Sequence, residues 1–288
     1  MSDPFLAHRR LLFTVAYELL GSAADAEDVV QETWLRWADV DIASVEDPRA
    51  YLVRIVTRQA LNRLRTLARR RETYVGQWLP EPLLTTPDVA EDVELAESVS
   101  MAMLTVLETL TPTERAVFVL REVFDLPYDE IAVALDKTSA AVRQVAHRAR
   151  EHVAARRPRM TVDRSEQHRV VDRFLAALTS GDVQGLMDAL APDVVVVADG
   201  GGRVAAARHP IVGAEQVVAF LSKFATVAPG ALVDTLWLNG ALGGRIVLDG
   251  ELNTVISFVV EEGRISRMYA VRNPLKLERL VEEAELAR

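Results

Sequence analysis

Tyr128-Asp129-Glu130-Ile131-Ala132-Val133-Ala134-Leu135, then Asp136-Lys137-Thr138, then Ser139-Ala140-Ala141-Val142-Arg143-Gln144-Val145-Ala146-His147-Arg148-Ala149-Arg150, decide how this chain is read. The first run is a short amphipathic helix and the next three residues a tight turn. Ser139 is expected to cap a second helix. This is a helix-turn-helix, whose second helix can lie in a major groove with polar side chains facing base edges. Ser139, Arg143, Gln144, His147 and Arg148 are the candidates for that face, because Arg pairs bidentately with guanine and Gln with adenine. Val142, Val145 and Ala146 are expected to pack inward. An ordinary helical hairpin with a solvated basic face has the same pattern, so the rest of the chain must separate the two readings.

Charge distribution does so. The net charge is −9, the wrong sign for a nucleic-acid binder taken as a whole. Yet Arg49, Arg54, Arg58, Arg63, Arg65, Arg69, Arg70 and Arg71 fall in one segment with no acid among them. From Glu72 to Glu114 there is no Lys or Arg, while Glu81, Asp88, Glu91, Asp92, Glu94, Glu97 and Glu108 accumulate. The stretch from Lys137 to Arg159 is basic again. Two basic helices flanking an acidic connector suggest two DNA contacts with self-masking between them. Arg54, Arg58, Asn62, Arg63 and Arg65 combine long cations with a polar group able to reach a base edge, as capture of a melted strand requires. Arg69–Arg71 are expected only to raise the local potential.

Composition narrows the rest. A chain of 288 residues, half of them apolar, can hold two or three domains with real cores. Without cysteine there is no disulfide or thiol chemistry, which fits a reducing cytoplasm. The stretch Met1-Ser2-Asp3-Pro4-Phe5 is not the start of a signal peptide, and no apolar run is long enough to span a bilayer, so no membrane partner is expected. His8, His147, His152, His168 and His209 are scattered, with no metal-ligand spacing, and no cofactor is implied.

Helices are expected over Phe5–Leu20, from Ser22 to about Ala38, and from Pro48 through Arg71. Together they make a first bundle over 1–73. Prolines 80, 82 and 87 mark a linker over 74–93. A second bundle over 94–160 combines one helix from Glu94 to Leu110, a helix opened by Thr111-Pro112-Thr113-Glu114, and the helix-turn-helix. Residues 161–288 begin with two helices and end in strands over Leu232–Leu238, Gly244–Leu248, Glu251–Val260 and Arg264–Ala270, after a first strand at Val194–Ala198. That order predicts an α+β domain with an antiparallel sheet and helices on one face.

Placed in this order, the pieces resemble a bacterial sigma factor of the extracytoplasmic-function group, in the sigma-70 superfamily. Asp25-Ala26-Glu27-Asp28-Val29-Val30-Gln31-Glu32-Thr33-Trp34 resembles that group's core-polymerase-binding helix, and Arg49-Ala50-Tyr51-Leu52 through Arg65 its promoter-melting and −10-reading helix. The segment from about Leu110 to Arg150 resembles its −35-reading domain. Trp78-Leu79-Pro80-Glu81-Pro82, Asp199-Gly200-Gly201-Gly202-Arg203 and Asn273-Pro274-Leu275-Lys276-Leu277 resemble signatures of the subgroup with a fused SnoaL-like domain, the J-type sigma factors.

The resemblance implies a multidomain protein: two all-α helical bundles, the second a helix-turn-helix, followed by an α+β cone-shaped SnoaL-like domain. It implies core RNA polymerase and promoter DNA as partners. Asp25, Asp28, Gln31, Glu32 and Trp34 would meet polymerase from a face that does not pack. Trp78, Leu79 and Pro80 in the linker would dock against a regulatory third domain through Asp199, Gly200, Gly201, Gly202, Arg203, Asn273, Pro274, Lys276 and Leu277, with Arg203 pairing linker acids. The third domain's pocket could take a small apolar ligand. Asp199, His209 and Asp249 are its only evident carboxylate or imidazole candidates for catalysis, and no catalytic residue is assigned. Two other readings remain: a helix-turn-helix regulator with a ligand-binding domain, and an enzyme fused to a sigma factor.

Overall fold

The computed structural model describes residues 3–71, 73–157 and 164–288. The chain divides into two compact units. One comprises residues 1–73, 89–157 and 284–288, and the other 74–88 and 158–283. The expected boundary at 160/161 and the helix stop at Pro158 fall outside the described residues, as do the side chains of Arg69–Arg71.

The first unit is helical. Helix α1 (Pro4–Leu20) starts on an Asp3 cap and stops at Gly21, whose φ of 66° lets its N–H return to the Tyr17 carbonyl. Ser22 caps α2 (Ala23–Ala38) by accepting the Asp25 N–H, and α3 spans Pro48–Arg71. Leu12, Leu19, Val29, Trp37, Leu52 and Val56 are buried in this bundle.

After α4 (Pro87–Glu91), the single helix expected from Glu94 to Leu110 is two: α5 (Val93–Ser98) and α6 (Met101–Leu107). Ser100 breaks it, because its extended backbone and a hydroxyl accepting the Met103 N–H start a new helix. Thr111 and Glu114 form a reciprocal capping box opening α7 (Pro112–Phe118). A π-helical turn over Val119–Val123 leads to α8 (Tyr128–Leu135) and α9 (Ser139–Ala154). The cap of α9 is Thr138, not Ser139: Thr138 has extended backbone and its Oγ1 accepts the Ala141 N–H at 3.2 Å.

The second unit carries α10 (Arg164–Ser180), α11 (Val183–Ala189), β1 (Leu190–Asp199), β2 (Ile211–Val212), α12 (Ala214–Leu221), α13 (Phe224–Val227), β3 (Leu232–Leu238), β4 (Ala241–Leu248), β5 (Glu251–Glu261), β6 (Arg264–Val271) and α14 (Pro274–Leu277). Its sheet order is β2-β1-β6-β5-β4-β3. The sheet is mixed rather than antiparallel throughout, since β1 and β6 run parallel. The chain between them passes through α12 and a β3–β6 meander instead of a tight turn, so no hairpin geometry forces them to oppose. Phe174 and Phe258 meet edge to face at 5.5 Å inside a core with Val171, Leu178, Leu190, Val217 and Met268.

The meander's three turns are Asn239-Gly240, Asp249-Gly250 and Glu262-Gly263, each with positive φ at both residues. That twist matches strands of right-handed twist and favours Asn-Gly or Asp-Gly. Glu262 (φ 52°) is the poorest fit of the three. Glu262→Asn is therefore expected to stabilise the second unit by about 0.5–1 kcal/mol, read as a higher thermal midpoint. A lower midpoint would mean that the Glu262 side chain holds something the turn needs.

Candidate nucleic-acid interface and linker site

On α9, Arg143, Gln144, His147 and Arg148 are exposed on one face, while Val142, Val145, Ala146 and Ala149 are buried behind it. The Arg143 guanidinium lies 5.4 Å from the Tyr128 ring centre. The Ser139 hydroxyl bonds the Asp129 carboxylate, tying α9 to α8. His147 Nδ1 is 3.4 Å from Glu151. Arg150 lies 3.5 Å from Glu122 and 3.4 Å from the Tyr128 hydroxyl.

The arginines of α3 are not without counter-charges. Arg63 bonds Asp25 at 2.6 Å and Asp28 at 2.9 Å, which holds its pKa above the usual value, chiefly through the Asp25 hydrogen bond. Gln59 donates to Glu32 at 3.0 Å. So the acids of α2 do not all stand on an unpacked face: Asp25, Asp28 and Glu32 meet α3, and a residue expected to touch DNA meets residues expected to touch polymerase. The reason is local. Helices α2 and α3 are neighbours in one bundle, and opposite charges along a shared seam pair before they seek outside partners. Gln31 and Trp34 remain exposed, Trp34 by 45%.

Arg54 stacks over Tyr51 at 4.8 Å, and Arg65 donates to Asn62 at 3.3 Å. Arg58 reaches the other bundle, donating to the Val133 carbonyl at 2.8 Å and the Ala134 carbonyl at 3.0 Å. These are orphan acceptors at the C-terminal end of α8, where a cation is favoured.

The two bundles thus pack as one unit, and a polar cluster is buried between them. Glu18 of α1 is fully buried, and its Oε1 is 2.7 Å from the Ser98 hydroxyl of α5. Arg115 of α7, 2% exposed, donates to the Glu18 carbonyl at 2.8 Å and pairs with Glu108. Burial pushes the Glu18 carboxyl from about 4.5 to about 8, against the lowering effects of Ser98 and Arg115. Neutral Glu18 can donate to Ser98, leaving the single Ser98 hydrogen for the Leu95 carbonyl at 3.0 Å.

In the second unit one carboxylate gathers the linker. Asp199, at the end of β1, has no solvent exposure. It accepts from the Tyr74 hydroxyl at 2.6 Å, the Leu79 N–H at 3.0 Å, the Gly201 N–H at 2.9 Å and the Lys276 ammonium at 2.7 Å. Lys276 also donates to the Leu79 carbonyl and lies 4.3 Å from the Trp78 ring centre. Asn273 donates to Tyr74 at 2.9 Å and caps α14, which Pro274 opens and whose Leu277 is buried. Leu79 and Pro80 are buried.

The glycines fit this crowding. A Cβ on Gly201 (φ 61°) would fall 2.4 Å from Asn273, one on Gly202 (φ 68°) 2.9 Å from Val75, and one on Gly200 2.4 Å from the Val204 carbonyl. Further along, Thr85 donates its N–H to the Trp237 carbonyl, and the Leu83 N–H bonds Asn239 at 3.0 Å. Burial and the Asp199 hydrogen bond push the Tyr74 hydroxyl above its usual range.

Two expectations change here. Arg203 is exposed and makes no ion pair with linker acids among the described residues; Arg279, 3.6 Å from Glu81, is nearest that role. Arg203 belongs to a tight turn, its N–H returning to the Gly200 carbonyl, and this aims its side chain at water. Of the expected linker 74–93, residues 74–88 group with the third domain and 89–93 with the helical unit. Sequence reasoning also passed over Tyr74, Leu83, Thr85 and Asn239, whose only signal was proximity to the tryptophan-proline motif or to a turn. Asp199 is committed to the linker, His209 lies exposed in a loop, and Asp249 lies in a hairpin turn. Among the described residues no cluster of His, Asp or Glu could hold a metal, and no helix is long and apolar enough to cross a membrane.

A helix-turn-helix with an exposed polar face, joined to a bundle bearing a second basic helix, defines a sigma-70-type architecture. Residues 5–70 match the Sigma-70 region 2 family and residues 100–153 the Sigma-70 region 4 family. The ECF RNA polymerase sigma factor SigJ of Mycobacterium tuberculosis is 39% identical, over 94% of this chain and 91% of the relative. The probable ECF RNA polymerase sigma factor SigI of the same organism is 31% identical over 97% and 96%. The crystal structure of M. tuberculosis SigJ superposes with a TM-score of 0.79 at 35% identity, covering 96% of this chain and 98% of that one. The chain belongs to the family of extracytoplasmic-function RNA polymerase sigma factors.

The raised Glu18 pKa has a sign. The folded state holds a proton between about pH 4.5 and 8 that the unfolded state releases, so the helical unit loses stability as pH rises through that window. Glu18→Gln removes this dependence. The stability difference between wild type and variant should change by on the order of 1 kcal/mol per pH unit across the window. A difference that stays constant from pH 5 to 8.5 would show an ordinary carboxylate.

Proposed function

We propose that this sigma factor directs promoter-specific initiation with core RNA polymerase, and that its third domain governs that activity from within the chain by holding the linker. Region 2 would meet polymerase through Asp25, Asp28, Gln31, Glu32 and Trp34 and the −10 element through Arg54, Arg58, Asn62, Arg63 and Arg65. Region 4 would read the −35 element through Ser139, Arg143, Gln144, His147 and Arg148. Trp78, Leu79, Pro80, Asp199, Gly200, Gly201, Gly202, Arg203, Asn273, Pro274, Lys276 and Leu277 form the regulatory set. The observation that carries the reading is the buried Asp199 carboxylate, shared by linker atoms of Tyr74 and Leu79 and by Lys276.

Geometry supports a regulatory linker. The −10 and −35 elements are about 25 base pairs apart, roughly 85 Å at about 3.4 Å per pair. A compact unit of this size is roughly 40 Å across. The packed bundles must therefore part before both elements are read. Residues 74–88 span at most about 50 Å when extended, and less while pinned to the third domain. Holding them against the third domain narrows the spacings the parted bundles sample and so reduces the entropy lost on binding both elements; releasing them forfeits that gain.

Transcripts made by core polymerase with and without the protein, on a pool of templates, test this. Specific start sites should appear only with it. Arg143→Ala and Gln144→Ala should each cost about 1–3 kcal/mol of −35 selectivity, and Asp199→Asn should lower initiation partially while the helical unit stays folded. The absence of any specific start would overturn the first claim, and unchanged initiation by Asp199→Asn the second.

A further inference from the structure

Residues 284–288 follow the third domain in sequence but pack with the helical unit. Their contacts fall on both halves of that unit. Glu285 accepts from Arg10 of α1 at 2.8 Å. The Ala287 N–H donates to the Thr14 hydroxyl of α1 at 3.1 Å. Arg288 pairs with Asp92, the cap of α5, at 3.1 Å, and with Glu94. Arg10 and Thr14 are four residues apart and so share one face of α1. Helix α1 belongs to region 2, and Asp92 and Glu94 lead into region 4.

From this we infer that the 284–288 segment is a clasp: it closes region 2 onto region 4 and must let go of one of them before the bundles part. The inference rests on the reading that the bundles separate on a promoter. A single exposed ion pair contributes little. Here four contacts come from residues 285, 287 and 288 of one tethered segment, so once the first has formed the others form at high effective concentration. The Ala287 bond fixes the register, because Thr14 is fully buried and its hydroxyl is already oriented by donating to the Arg10 carbonyl at 2.9 Å. The ion pairs are exposed, with side-chain exposures between 36% and 76%, so the clasp is releasable. Because the segment is continuous with the third domain, the chain that pins the linker also supplies the closure.

The test exploits the absence of cysteine. Fluorophores attached through Arg36→Cys on α2 and Lys137→Cys after α8 report the distance between bundles in the full-length chain. Glu285→Arg with Arg288→Glu should raise the parted fraction threefold or more and raise initiation at limiting core polymerase in parallel. Adding Arg10→Glu, Asp92→Asn and Glu94→Arg re-pairs the charges, keeps a cap on α5, and should return both readouts toward wild type. An unchanged parted fraction, or a rise that re-pairing does not reverse, would overturn the clasp. Should wild-type protein support no specific start site, the sigma-factor reading fails on its own, and the dye distances still report whether the clasp exists.

Discussion

A carboxylate with no access to water cannot stand alone, and the second unit is arranged around that fact. Asp199 is buried at the end of β1 and needs donors for both oxygens. The third domain supplies Lys276 and the Gly201 N–H, and the linker supplies the Tyr74 hydroxyl and the Leu79 N–H. Removing the linker would leave a buried charge short of partners, a situation that costs several kcal/mol in proteins. Linker and domain are therefore one structural object. The glycine run, the cap at Asn273 and the lysine after Pro274 are consequences of fitting a chain segment close to that carboxylate.

The helical unit shows a second balance. Its cations find partners within the unit: Arg63 in Asp25 and Asp28, Arg58 in the carbonyls at the end of α8, Arg157 in Glu97. These pairs are partly exposed, so under the proposed function they exchange cheaply for phosphates. The Glu18–Ser98–Arg115 cluster differs, being buried and incompletely bonded: Glu18 Oε2 and Arg115 Nη2 find no hydrogen-bond partner among the described residues. A buried polar seam of this kind holds two surfaces in one register without making their union strong. That is the behaviour the proposed function asks of bundles that part on a promoter.

Much of this was legible in the sequence. Helix starts at Ser22 and Thr111, the stop at Gly21, the helix-turn-helix and its outward Arg143-Gln144 face all follow from period and capping chemistry. The three short motifs announced that the linker and third domain belong together. Pairings between distant positions were not legible: nothing in the run of arginines marks Arg58 for the α8 carbonyls or Arg63 for α2. Arg203 misled because its charge suggested a partner, whereas the Gly200 turn aims it outward. The break at Ser100 was hidden by a helical apolar period that continues across it. The tail at 284–288 carried no motif at all.

Amide hydrogen exchange at Leu79 tests the central claim most directly, because that N–H is held by the Asp199 carboxylate itself. In full-length protein it should exchange as slowly as the β5 and β6 core amides, and Asp199→Asn should speed it by orders of magnitude while α1 and α9 keep their protection. Rapid exchange at Leu79 in the wild type, or slow exchange that survives Asp199→Asn, would contradict the account.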